Sequence, residues 1–90
     1  MNKNKALQKA INLHLSGKNI EASKAYNAVL ISEPSNLIAL NNLASLLNVS
    51  GEYEKAKLLL NRALHIKPDY IDALNNLGIS MKLSKEFNEA

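Results

Sequence analysis

Cysteine is absent from this chain, which removes disulfide frameworks, thiol nucleophiles and thiolate metal sites together. Long apolar runs are missing too. The charged opening MNKNKALQKA leads into a segment broken at Ser16–Gly17, so neither a secretory signal nor a membrane span is expected, and a cytoplasmic location is. No glycine-rich phosphate loop, acidic catalytic pair or nucleophile–base spacing occurs. His14 has no carboxylate nearby in sequence to make it a metal ligand or a general base, and His65 falls near a predicted helix end, where a partly protonated ring is merely favourable. The sequence therefore predicts no metal, no cofactor and no catalytic activity of its own. Aromatic residues make up only 4% of the chain. Tyr26, Tyr53 and Tyr70 read as packing or turn residues rather than base-stacking platforms. A net charge of +3, basic at the start and acidic at the end, is too mild to imply a nucleic-acid partner.

Glycine and proline are few as well, and their placement is informative. A shift of 34 residues carries Gly17 onto Gly51, Pro34 onto Pro68, Leu30 onto Leu64, and Ala22 onto Ala56 and Ala90. Such ladders in a chain of 90 residues predict an internal repeat, and the most complete copy runs from Leu37 to Tyr70. The units expected are 3–36, 37–70 and a truncated 71–90, forming a single array. A hydrophobic fraction of 47% suits a folded chain rather than a disordered one.

Within each copy the apolar spacing is helical. Helices are expected over Lys3–Leu15, Asn19–Ile31, Leu37–Val49, Glu52–Ile66 and Ile71–Leu83. A short sixth should follow the Ser84–Lys85 turn, over Glu86–Ala90. In the second helix Ile20, Ala22, Ala25, Tyr26, Val29 and Leu30 should point inward. Short connections make sequential helices antiparallel. Ala10, Ala44 and Gly78 share one repeat position, and Ala22, Ala56 and Ala90 another; small side chains there let helices approach closely, with Leu43, Leu47, Leu60 and Leu64 filling the space alongside.

These residues resemble the tetratricopeptide-repeat family. The second copy carries Leu40, Leu43, Ala44, Gly51, Tyr53, Ala56, Leu60, Ala63 and Pro68 at the family's positions. The first supplies Ala10, Gly17, Ala22, Tyr26 and Pro34, and the third Leu74, Leu77, Gly78, Phe87 and Ala90. Lys9 and Lys85 depart from the pattern, the latter at the turn glycine. The resemblance implies an all-α, right-handed superhelical array of antiparallel helix pairs, about two and a half repeats long. It implies a scaffold that binds a protein or an extended peptide. ALNNLA and ALNNLG are most similar to repeats of the protein O-linked N-acetylglucosamine transferases, so a substrate-recruiting fragment of a larger enzyme is an alternative.

In that family the first helix of each repeat lines a concave groove. Carried over, the groove here comprises Leu7, Gln8, Ile11, Asn41, Asn42, Ser45, Asn75, Asn76 and Ile79. Gln8, Asn42 and Asn76 occupy one repeat position, and an amide offers both the donor and the acceptor that a peptide backbone complements. Two readings stand side by side: an amide ladder that grips a peptide, and polar surface residues in water. Under the first, Asn42→Ala with Asn76→Ala should weaken binding and leave the fold unchanged. Binding of a terminal carboxylate, a mode known in the family, is disfavoured because Leu7, Ile11 and Asp72 stand where basic or amide residues are needed. Ile71, Leu74, Leu77, Met81 and Leu83 exceed what the preceding helix can cover, so homo-oligomerisation through the C-terminal end is a further expectation.

Overall fold

The computed structural model describes the backbone of residues 3–89 and the side chains of residues 5–86. Five helices follow one another: α1 (Lys3–Leu15), α2 (Asn19–Ser32), α3 (Leu37–Val49), α4 (Tyr53–Ile66) and α5 (Ile71–Glu89). No strand occurs among the described residues.

The boundaries follow local chemistry. Asn36 caps α3, its side-chain oxygen accepting from the Ala39 N–H at 2.9 Å. α1 and α3 end on the same device. Gly17 and Gly51 have φ of 77° and 86°. The Gly17 N–H donates to the His14 carbonyl and the Lys18 N–H to that of Leu13; Gly51 and Glu52 repeat this with Asn48 and Leu47. This closure satisfies carbonyls that a helix end leaves free, and it needs a left-handed residue, which glycine supplies without a steric penalty. α2 and α4 stop ahead of Pro34 and Pro68, since the residue before proline avoids helical geometry.

The expected break at Ser84–Lys85 does not occur. α5 continues unbroken to Glu89, so there is no separate sixth helix. Lys85 holds the repeat position of Gly17 and Gly51, and an L-residue in the left-handed conformation costs about 1–2 kcal/mol. Lysine is in addition a good helix former. The neighbouring Ser84 is buried and donates to Glu54 Oε2 at 3.1 Å, tying α5 to α4. Ala90, the expected helix end and third member of its ladder, and the Phe87 side chain lie outside the described residues.

Two apolar clusters form the core. Ala10, Ala22, Tyr26, Val29, Ala39, Leu43 and Leu46 join α1, α2 and α3. Leu40, Ala44, Ala56, Leu60, Ala63 and Ala73 join α3, α4 and α5. α3 serves both, and Leu30, Leu47 and Leu59 bridge them. Each helix packs chiefly on its sequence neighbours, with α3 also meeting α5. Stacking of this kind draws the molecule out to 46 × 28 × 19 Å. The alanines at the close-approach positions are fully enclosed, but Gly78 is not: it is exposed, and a Cβ there would meet nothing within 4 Å. No described helix crosses its face. Ile20, expected inward, is 75% exposed, because Ala22, Tyr26 and Val29 define the side of α2 that packs.

Candidate functional site

A seam of hydrogen bonds runs across the first helices of the successive pairs. Tyr26 on α2 is its start, with no exposed surface. The Asn42 Nδ2 donates to the Tyr26 hydroxyl oxygen at 3.2 Å, and that hydroxyl lies 3.0 Å from His14 Nδ1 on α1. Which of the two donates in the Tyr26–His14 contact is set by the imidazole tautomer. The two rings meet edge-on, centroids 5.7 Å apart. Burial raises the Tyr26 pKa, and the bond from Asn42 offsets part of that rise.

On α3 the seam continues. Asn41 Nδ2 donates to Asn42 Oδ1 at 3.3 Å, and Asn41 Oδ1 accepts from Asn76 Nδ2 of α5 at 2.8 Å. Further along, Asn48 Nδ2 donates to the Asn76 carbonyl at 3.3 Å, and Ser80 Oγ donates to Asn48 Oδ1 at 2.7 Å. No buried side-chain polar atom among the described residues lacks a partner. Asn42 and Asn76 thus join helices while half-exposed, and Asn41 and Asn48 do so from buried positions.

The groove residues inferred from the sequence separate accordingly. Gln8, Asn75 and Ile79 are exposed; Leu7, Ile11, Asn42, Ser45 and Asn76 are half-buried. Asn41 is only 6% exposed and acts as the spacer between Asn42 and Asn76. Gln8 does not join the seam; its Nε2 donates within α1 to Asn12 Oδ1 at 3.0 Å. Removing Asn42 and Asn76 together would delete bonds between helices as well as groove amides.

The seam had a sequence signal that single positions hide. Tyr26 and Ser80 stand where the neighbouring copy has Leu60 and Leu46. A hydroxyl replacing leucine at a core position announces a buried polar partner.

Two apolar surfaces are open among the described residues. On α5, Ile71, Leu74 and Met81 are 68%, 48% and 56% exposed, while Leu77 packs on the second cluster. Between α2 and α4 lies a groove of about 820 Å³, floored by Leu43, Leu46 and Leu47 of α3. No described helix is long and apolar enough to cross a membrane, and no group of three or more acidic or histidine side chains is placed to hold a metal among the described residues.

Comparison with known proteins gives a match to a family model described as tetratricopeptide repeat, over residues 13–78. No match was found among curated proteins.

Proposed function

Because the chain belongs to the tetratricopeptide-repeat family, whose repeats generally act as protein-interaction scaffolds, we propose that it is a non-catalytic scaffold that holds an extended peptide across α1, α3 and α5. The observation that carries this reading is the half-used state of the seam amides. Asn42 engages one N–H and its carbonyl oxygen inside the fold, while an amide has two N–H donors and two acceptor lone pairs. Asn76 engages one N–H through its side chain. The unused halves sit on side chains already held in place, so a peptide backbone meeting them loses less rotamer freedom. Ile38 and Ile79 are exposed on the same two helices and offer apolar contacts beside the amides. Each backbone bond contributes about 0.5–1.5 kcal/mol after competition with water, so the groove binds weakly alone and gains from flanking repeats.

Peptides selected from a displayed random library, followed by amide shift mapping on the labelled protein, test this. Shifts are expected at Gln8, Ile38, Asn42, Ser45, Asn75 and Ile79. Shifts confined to α2 and α4 overturn it. The likeness of ALNNLA and ALNNLG to glycosyltransferase repeats supports a narrower version, in which the groove recruits substrate chains for a catalytic domain. The residues that follow Ala90 in the source gene decide that version: a transferase domain supports it, and a stop removes it. The open α5 stripe supports self-association as an additional property, which a monomeric mass at high concentration in sedimentation would exclude.

A further inference from the structure

We propose that the α2–α4 groove is a second docking site, on the other side of α3 from the peptide groove, and that its occupant is an acidic amphipathic helix of a protein partner. Leu43 and Leu47, in the floor, leave α3 nearly opposite Asn41 and Ser45 by helical phase. The two grooves adjoin on α3, where Leu46 and Val49 of this one lie a turn beyond Asn42 and Ser45, but they share no lining residue, so this inference does not rest on the peptide reading.

The groove has the form of a helix seat. Its walls are α2, through Ile20, Ser23 and Asn27, and α4, through Leu58 and Leu59. Ile20 and Leu58 are 75% and 67% exposed at the lips, large apolar side chains with no covering element among the described residues. The Leu43, Leu46 and Leu47 floor is apolar and no strand lies beside it among the described residues, so an extended peptide gains no continuous ladder of backbone partners here. A helix satisfies its own backbone and needs only an apolar face to fill the floor.

Charge selects among helices. Lys24, Lys55 and Arg62 line the rim, and Glu52 is the one carboxylate lining it. Glu52 pairs with Lys55 at 3.1 Å, which offsets both charges and leaves Lys24 and Arg62 to carry the net positive charge of the rim. Arg62 keeps one guanidinium nitrogen on the Pro34 carbonyl at 2.8 Å, which fixes its fork beside the opening. A helix whose apolar stripe is flanked by glutamate or aspartate meets these cations; one flanked by lysine is repelled.

The test uses a labelled synthetic peptide of about 18 residues, long enough to hold helix alone, with leucines on one face and glutamates on its flanks. Its counterpart carries lysine for every glutamate. In low salt the acidic peptide should bind saturably, and the basic one at least about tenfold more weakly, with the difference shrinking as salt rises. Ile20→Glu and Leu58→Glu, both at exposed lips, should abolish binding without changing the helical circular-dichroism signal. Ile79→Glu, in the peptide groove, should leave it intact. Equal binding of the two peptides overturns the proposal, as does binding that survives Leu58→Glu or is lost with Met81→Glu on α5. A self-associated species that Leu58→Glu dissolves would make the occupant a second copy and also overturn it.

Discussion

The pairs α1–α2 and α3–α4 differ from α5 at two equivalent positions, in the residue at the turn and in whether a following helix covers the small residue. Gly17 and Gly51 close their helices through left-handed turns, and the chain folds back. Lys85, at the same place, stays helical and α5 runs on. Ala10 and Ala44 are enclosed by a returning helix, whereas Gly78 faces open space. The lesson is about dependence. A small residue permits a close contact only where a neighbouring turn brings a helix back to make it.

Substitutions can sharpen this contrast, beginning with the largest effect. Ala56 is fully enclosed in the second cluster, so Ala56→Leu should overpack it and lower unfolding free energy by about 1–3 kcal/mol. Chemical denaturation measures this, and an unchanged midpoint would show that the α3–α4 contact is looser than its burial implies. Gly51→Val should come next. Its Cβ meets no neighbour, yet φ is 86°, so the cost of about 1–2 kcal/mol is backbone strain alone. Gly78→Ala reverses the sign. The added methyl meets open space inside a helix, and the variant should gain about 0.5–1 kcal/mol. A loss there would mean that another helix covers α5 in solution.

Lys85→Gly addresses the turn directly. Glycine in a helix is disfavoured by about 1 kcal/mol, so the end of α5 should fray and its amides beyond position 85 should lose hydrogen-exchange protection. Retained protection would show that contacts, and not Lys85, hold the helix straight.

The smallest effect is in pH. The Glu54 pKa lies below its ordinary 4.5, first through its bond with Lys57 and then through that with Ser84; Glu52 is lowered chiefly by Lys55. Because the folded pKa values are depressed, the stability they contribute is present above pH 4.5 and falls as pH drops from there through the folded values. Both groups are exposed, so the loss should be slight. Ser84→Ala should reduce the Glu54 share of it, leaving that of Glu52, in an acid titration of stability.

Much of this was legible in advance. The bounds of α1 and α3 match the expected ones, α2 and α4 differ by one residue at an end, and the 34-residue ladders locate the alanines that the core encloses. The site was legible in part. Asn42 and Asn76 stood out by position, but their attachment to Tyr26 and Asn41 did not. Nor did the exposure of Ile20, whose apolar spacing marked it for the core.

What the sequence alone determined is local: helical period, the left-handed turns at Gly17 and Gly51, and the stops before Pro34 and Pro68. Each depends on a few adjacent residues and their backbone preferences. Only the tertiary structure decided which amides are engaged and which apolar side chains remain bare. The seam pairs residues 12, 16 and 35 positions apart, so whether Asn42 faces water or Tyr26 depends on how helices stack. Burial of Ile20 and Gly78 likewise requires a second helix to lie across them, and no side chain encodes its neighbour's position by itself.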